Sequence, residues 1–193
     1  MYPFQISGKN VKLTHLLPTT ENATLLCALV GENKRYLMSV FEHMVDAYKT
    51  PEKTLASLHY DETMRQLYQM LPYYIFVQDK LVGEITAEWT DKNAKTEVLY
   101  WLSEKYAGQG YMGEALTLME NVLFQAGHKQ IQLYIDAANW RSLNVAEKAG
   151  YQLANDDSFF KTVQMWYEKR SKICSRPLKK SFLSSLFCVR SKE

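Results

Sequence analysis

Apolar residues at helical spacing predict a group of helices behind one N-terminal strand. Thr50 and Pro51 indicate where the last of these helices begins. The Thr50 hydroxyl suits an N-cap, and Pro51 suits the first helical position. The predicted elements of this first part are a strand at Val11–Leu16 and helices at Glu21–Leu29, Lys34–Tyr48 and Pro51 to about Met70. Three runs rich in β-formers follow, with a hairpin turn between the first two, at Tyr73–Gln78, Leu81–Thr90 and Glu97–Leu102.

Helices and strands alternate after the third β-run. Apolar residues from Met112 to Ala126 recur at helical spacing, and Gly127 suits the C-terminal cap. A second helix is expected between Asn139 as N-cap and Gly150, and the predicted strands are Ile131–Ile135, Tyr151–Leu153 and Thr162–Glu168. This order predicts an α/β domain with a central sheet.

Composition and charge narrow the class of protein. With 193 residues, of which 47% are hydrophobic, the chain is long enough for one domain with a sizeable core. We expect a cytoplasmic protein, because no apolar run is long enough to span a membrane, the N-terminus lacks a signal-peptide pattern, and three scattered cysteines suggest reduced thiols. No His or Cys cluster has metal-ligand spacing, so we predict no metal site, and the four histidines are expected at the surface or at helix ends.

The C-terminal segment differs in charge from the rest of the chain. Residues 171–193 contain six Lys or Arg against one Glu, whereas acidic residues exceed basic ones in residues 1–170. We therefore predict a catalytic or binding domain at 1–170 and a basic amphipathic tail at 171–193, and no nucleic-acid-binding face. The apolar side of the tail would pack on the body or on a second subunit of a homodimer, or dock to an anionic membrane or an acidic partner. Both alternatives stay open.

A glycine loop between a strand and a helix is the strongest indication of chemistry. Gly108, Gly110 and Gly113 lie where the main chain passes into the helix that starts near Met112. Free amides at a helix N-terminus bind anions, and glycine lets a bulky phosphate approach the backbone. The loop lacks the Lys-Ser/Thr of a P-loop and does not fit a dinucleotide-binding unit, so a pyrophosphate is the expected ligand. The alternative is a tight turn that needs glycine for its geometry alone.

The sequence Tyr106-Ala-Gly-Gln-Gly-Tyr-Met-Gly-Glu-Ala115 resembles the phosphate loop of the GNAT superfamily of N-acetyltransferases. It is most similar to the branch that acetylates the N-termini of ribosomal proteins, whose loop reads Tyr-Arg-Gly-Lys-Gly-Tyr-Ala-Thr-Glu-Ala. Ala107 and Met112 depart from that pattern. Three more blocks agree in order and spacing: Leu81-Val-Gly-Glu-Ile85, Glu97-Val-Leu-Tyr-Trp-Leu102, and Asn139-Trp-Arg-Ser142 running into Glu147-Lys-Ala-Gly-Tyr151.

The resemblance, which spans about residues 8–170, implies a fold and a cofactor. The fold would be a mixed, mostly antiparallel central sheet with splayed fourth and fifth strands, flanked by helices. Acetyl-coenzyme A would lie in the splay. The implied cofactor-binding residues are Trp101 and Leu102, acting through the main chain, with Gly108, Gln109, Gly110, Tyr111, Met112, Gly113 and Asn139. Trp101 also fits the role of a core aromatic residue.

The resemblance further implies an acetyl transfer to a primary amine, directly within a ternary complex. Many superfamily members protonate the leaving thiolate with a Tyr, and that position is Ala146 here. Ser142 is therefore the remaining candidate for the proton donor. Asn139 and Ser142 also fit simple helix capping. Glu97 is the first choice of general base, with Asp156, Asp157, Glu84 and Glu88 as competitors, and a solvated charge at a strand end is its alternative role.

The acceptor is the least specified part of the function. An α-amino group has a pKa of about 8, against about 10.4 for lysine, so an N-terminal amine needs only weak base assistance. A protein N-terminus, ribosomal or other, is therefore the leading acceptor. The alternatives are a small amine (a polyamine, an antibiotic or an amino acid) and a catalytically weak acetyl-CoA-binding interaction module.

Overall fold

A computed structural model describes residues 2–39, 41–89, 96–153 and 164–170. The helices of these ranges are α1 (Thr20–Glu32), α2 (Lys34–Leu37), α3 (Glu42–Ala47), α4 (Pro51–Gln66), α5 (Tyr111–Gln125) and α6 (Trp140–Lys148). The strands are β1 (Gln5–Ser7), β2 (Lys12–Thr14), β3 (Met70–Val77), β4 (Lys80–Glu88), β5 (Thr96–Leu102), β6 (Gln130–Asp136), β7 (Gln152–Leu153) and β8 (Gln164–Arg170). None of the described helices is both long and apolar enough to cross a bilayer.

The eight strands form one sheet in the order β1-β2-β3-β4-β5-β6-β8-β7. Each neighbouring pair is antiparallel except β5 and β6, which are parallel and are connected by α5. The predicted α/β architecture with a mostly antiparallel sheet and flanking helices is thus confirmed.

Successive residues of a strand point to opposite faces of the sheet. Both faces of this sheet carry apolar side chains, and helices cover both. Tyr73 and Ile75 belong to one core cluster with the α5 residues Leu116 and Met119. Tyr74, between them in sequence, belongs to a second cluster with residues of α1 and α4. The sheet therefore separates an α5–α6 layer from an α1–α4 layer.

Some element boundaries differ from the prediction. The single helix expected at Lys34–Tyr48 is wrong: α2 ends at Leu37 and α3 begins at Glu42. The Ser39 hydroxyl donates to the carbonyl of Tyr36 at 2.7 Å, an interaction that competes with helix continuation, and Phe41 leaves helical geometry at φ −136° and ψ 56°.

The boundary between α4 and the next strand also differs from the prediction. Helix α4 starts after Thr50 as predicted, with the Thr50 hydroxyl accepting from the amide of Lys53, but ends at Gln66. Pro72 lies inside β3 rather than ahead of it. Its missing N–H is tolerated because the register of β2 on β3 begins only at Tyr74, which leaves one side of β3 without a strand at Pro72.

His15 is buried at 4% exposure beside β2, contrary to the expected surface or helix-end position. His128 lies at the C-terminal end of α5, as expected, but is also buried at 6% exposure. Several predictions fall outside the described residues. These are the end of the run at Thr90, the first residues of the last strand, Asp156, Asp157, Cys174, Cys188 and the whole tail at 171–193. The division at residue 170 remains a prediction.

Candidate active site

A cleft of about 370 Å³ opens where β5 and β6 diverge. The two strands pair only at Thr96 with Ile131 and at Glu97 with Gln132. On its other side β5 stays paired with β4 as far as Leu102. The edge of β5 that faces β6 therefore presents main-chain groups to the cleft beyond Glu97. The fourth and fifth strands of the family fold are β5 and β6 in this structure. The predicted splay between them is confirmed.

The glycine loop forms one end of this cleft. Gly110 caps α5 with φ +85°, a conformation that favours glycine, and a side chain there would extend into open space. Intrahelical bonding starts at Glu114, whose amide donates to Gly110, so the preceding amides remain available at the positive end of the helix dipole. The cleft is lined by the predicted residues Trp101, Leu102, Gly108, Gly110, Tyr111, Met112, Gly113 and Ser142.

Contacts with the end of α1 and with the segment before β2 hold the loop in place. The Asn33 side chain accepts from the amide of Glu104 at 3.1 Å, and Lys105 pairs with Glu32 at 2.9 Å. Glu114, in the first turn of α5, accepts from the amides of Asn10 and Val11 at 2.8 and 3.2 Å. Glu114, which belongs to the glycine-loop motif, therefore joins α5 to the segment before β2.

Gly83 determines how closely β4 approaches β5. A Cβ atom at Gly83 would lie 2.3 Å from the carbonyl oxygen of Trp101 and 3.0 Å from Cα of Leu102. A larger residue would displace the strand that lines the cleft.

Ser142 and Asn139 have different surroundings at the start of α6. The Asn139 side chain accepts from the backbone amide of Ser142 at 3.2 Å, and Asn139 does not line the cleft. Ser142 itself does line the cleft, and its hydroxyl has no hydrogen-bond partner among the described residues. Ala146 is fully buried in the core and brings no polar group to the cleft. Gln109, the other predicted residue outside the lining, donates to the carbonyl of Lys105.

The structure does not bring Glu97 into the cleft. It lines a second cavity of about 430 Å³, together with Glu88, Trp89 and residues of α4 and β3. Glu88 and Glu97 are directly opposite each other in the β4–β5 register. Burial, and then the charge of Glu88, raise the pKa of Glu97.

Sequence reasoning missed several residues that line the cleft. Arg141, Asn144, Val145 and Lys148 lie on one face of α6, a spacing of three, four and seven residues that could have been read from the sequence. Tyr36 of α2 reaches the cleft from the α1–α4 layer, which no local pattern indicates. Arg141 and Lys148 are the charged residues of the described lining, and both are cationic.

These features fit a ligand with phosphates and a slender amide-containing arm. The open helix N-terminus and the two cations suit phosphates, and the free edge of β5 suits an arm that carries amide groups. In the described ranges, no group of three His, Cys, Asp or Glu is placed to hold a metal ion.

Comparisons with known proteins agree with this geometry. The profile of the acetyltransferase (GNAT) domain matches residues 17–152, more than half of the chain. A search of curated proteins finds no match.

Solved structures of similar fold include three acetyltransferases. RimL, the ribosomal L7/L12 alpha-N-protein acetyltransferase, solved with coenzyme A, is 19% identical with a TM-score of 0.74 over 86% of this chain and 97% of its own. The ribosomal-protein-S5-alanine acetyltransferase from Vibrio fischeri is 14% identical with a TM-score of 0.72 over 87% and 97%. The microcin C7 self-immunity acetyltransferase MccE, solved with acetyl-CoA and AMP, is 18% identical with a TM-score of 0.72 over 85% and 94%. Similarity at these identities establishes the fold.

Proposed function

The chain belongs to the GNAT acetyltransferase family and is an N-acetyltransferase that uses acetyl-CoA, and we propose that its acceptor is the N-terminal α-amine of a protein. The observation that carries this proposal is the charge of the cleft. Its described lining contains no carboxylate and no imidazole, only the cations Arg141 and Lys148. An acceptor that is largely protonated at neutral pH, such as a lysine side chain, needs a strong base, whereas an α-amine with a pKa of about 8 does not.

The main-chain groups of the cleft would hold the co-substrate. Acetyl-CoA supplies the acetyl thioester. The amides at the start of α5 bind its pyrophosphate, and the main chain near Trp101 and Leu102 pairs with the arm and donates to the thioester carbonyl. Ser142, which lines the cleft and whose hydroxyl has no hydrogen-bond partner among the described residues, donates a proton to the leaving thiolate.

The transfer itself is a direct exchange in a ternary complex. The neutral amine nitrogen forms a bond to the acetyl carbon, the carbon–sulfur bond breaks, and the amine gives up one proton. Glu97 remains our choice of base and acts through water, because its carboxylate is in the second cavity. Glu88 shares that cavity, whereas Glu84 is not in the described lining of the cleft and accepts a hydrogen bond from the cleft residue Trp101.

A small amine is the second candidate acceptor. The fold of MccE, which is named for self-immunity to microcin C7, is about as similar to this chain as the folds of the ribosomal-protein enzymes. The two cations of the cleft lining, Arg141 and Lys148, disfavour a polyamine. Antibiotics and amino acids remain as candidates within this class. A catalytically weak binding module is the third candidate, since Ala146 replaces the tyrosine that many family members use.

An acceptor panel tests the proposal. Acetyl-CoA turnover is measured with peptides that carry a free N-terminal Ser or Ala, with the same peptides formylated at the N-terminus but bearing a lysine, and with small amines. We expect turnover only with the free N-termini, and its loss in a Gly110→Asp control. Faster turnover of a small amine or of the lysine peptide would overturn the acceptor assignment. Tight coenzyme A binding without turnover would favour the binding module.

A further inference from the structure

A carboxyl group lies directly behind the cleft, on the α1–α4 side of the sheet. Glu84 of β4 is opposite Trp101 of β5 in the strand register. Its Oε2 accepts from the indole Nε1 of Trp101 at 3.3 Å and from the hydroxyl of Tyr48 at 3.4 Å, and its Oε1 accepts from the Thr86 hydroxyl at 2.9 Å. All three donors are uncharged, and no cation forms an ion pair with Glu84 in the described part of the chain.

A second carboxyl group extends this cluster into the helical layer. The hydroxyl of Tyr74 donates to Asp61 of α4 at 2.8 Å, and both Tyr74 and Tyr48 are buried. Burial raises the pKa of Glu84, and burial together with the charge of Glu84 raises the pKa of Asp61 to about 7. Hydrophobic side chains would occupy such a place at lower free-energy cost, so stability alone gives no reason for these two carboxyl groups.

The position of Trp101 indicates what the cluster acts on. The Trp101 side chain belongs to the core of the α1–α4 layer, whereas Leu102 belongs to the core of the α5–α6 layer and Tyr100 packs against it. Trp101 also lines the cleft, which Glu84 does not. Gly83 contacts the main chain of Trp101 and Glu84 holds its indole, so adjacent residues of β4 fix both parts of one cleft residue.

We propose that Glu84 is a positioning residue for acetyl transfer, that the acceptor approaches from the α1–α4 layer, from which Tyr36 reaches the cleft, and that Glu84 holds Trp101 on this side and connects it through Tyr48 to the end of α3. The kinetic part of this proposal rests on the proposed function. Since the indole lies on the side of β5 away from α5 and the glycine loop, loss of its anchor affects the acceptor and leaves coenzyme A binding intact. Gln at position 84 keeps an oxygen that accepts from the indole, whereas Leu does not.

Kinetics with Glu84→Leu, Glu84→Gln and a matched control test this role. The control is Glu120→Gln, because Glu120 of α5 is also a buried carboxylate but pairs with Lys169 instead of contacting Trp101. We expect Glu84→Leu to lower kcat/KM for the acceptor about ten-fold or more, since small misplacements at a reacting centre are costly. The Kd of coenzyme A stays within about two-fold, Glu84→Gln recovers most of the loss, and Glu120→Gln changes only stability. Unchanged kinetics in folded Glu84→Leu, or a parallel loss of coenzyme A affinity, would overturn the proposal.

Tryptophan fluorescence provides a test that does not need turnover. Glu84→Leu is expected to change the emission of the native protein, and to change nothing when Trp101 has already been replaced by Phe. An emission that does not respond to Glu84→Leu, or a response that persists in the Trp101→Phe background, contradicts the assignment. If no amine is acetylated, the proposed function fails, and the fluorescence result still decides whether Glu84 holds Trp101.

Discussion

The hydroxyl of Tyr100 donates a hydrogen bond to the backbone carbonyl of Ser142, 3.3 Å away, and so joins β5 to α6 across the cleft. Burial raises the pKa of Tyr100, so the phenol stays protonated and remains a donor at neutral pH. The two walls of the cleft are thus held together at the residue that we assign as proton donor.

Removing this bond should loosen the cleft. Tyr100→Phe deletes the hydroxyl and keeps the ring, and a hydrogen bond of this kind contributes about 1 kcal/mol. We expect coenzyme A to bind about three- to ten-fold more weakly, as measured by calorimetry. An equal affinity in the two proteins would show that the bond does not shape the binding site.

A substitution in the glycine loop should abolish cofactor binding. Coenzyme A is expected to raise the Tm of the native protein by mass action, and Gly110→Asp should remove that rise by adding a negative charge where phosphates bind. Gly127→Asp is the matched control, because Gly127 has φ +97° and open space around it but lies at the other end of α5. A Tm rise that survives in Gly110→Asp, or disappears equally in Gly127→Asp, contradicts the phosphate site.

Ser142→Ala should separate catalysis from capping. The N-cap bond uses the backbone amide of Ser142, so the substitution leaves that bond and the stability of the protein unchanged. We expect kcat to fall about ten-fold with little change in coenzyme A affinity, because the hydroxyl is needed as the thiolate forms. Asn139→Ala, by contrast, removes the N-cap bond, so it should cost about 1 kcal/mol of stability and leave kcat close to the native value. A native kcat in Ser142→Ala would exclude it as the donor.

The pH dependence of kcat/KM tests Glu97 as the base. A base must be ionised, so the rate contribution of Glu97 is lost as the pH falls through its raised pKa. Glu97→Gln should slow the reaction and remove this acidic limb. Glu88→Gln removes the neighbouring charge and should move the limb to lower pH. Native profiles in both variants would place the base elsewhere.

Asp61 should make stability depend on pH in the unusual direction for a carboxylate. Its pKa is about 7 in the folded protein and about 3.9 in the unfolded chain, so the stabilisation is present at low pH and is lost as the pH rises toward 7. Asp61→Asn should therefore be most stabilising, relative to the native protein, at pH 7 and above. The comparison uses the difference between the two proteins, because His15, with a pKa lowered by burial to about 4, has the opposite trend. A difference that is constant from pH 4 to 7 would contradict the prediction.

The parts of the site that sequence could predict are those set by local pattern. The glycine loop and α5 follow each other along the chain, and the apolar period of α5 determines which face meets the sheet. Glu97 is expected beside the cleft because it begins the strand that lines the cleft and matches the acidic residue of the ribosomal branch, four residues before Trp101. A strand advances about 3.3 Å per residue, so those four residues span about 13 Å, and Glu97 falls where β5 and β6 are still paired.

The residues behind the cleft could not be predicted, because they meet only in three dimensions. Tyr48, Asp61, Glu84 and Trp101 come from four elements that no local pattern joins. The break between α2 and α3 likewise includes a local side-chain bond, from the Ser39 hydroxyl to the Tyr36 carbonyl, which competes with the helix and changes the hydrophobic period very little.

The limited pairing of β5 with β6 also bears on the order of folding. Strands β3, β4 and β5 are joined by consecutive antiparallel pairing, with local contacts that form early, whereas Thr96 meets Ile131 only after α5 has crossed over. The two register pairs between β5 and β6 close the long connection that contains α5 and have little pairing energy of their own. The cofactor cleft is therefore expected to be completed after β3, β4 and β5 have paired, and a newly made chain becomes able to bind acetyl-CoA only once α5 has crossed over and β6 has joined β5.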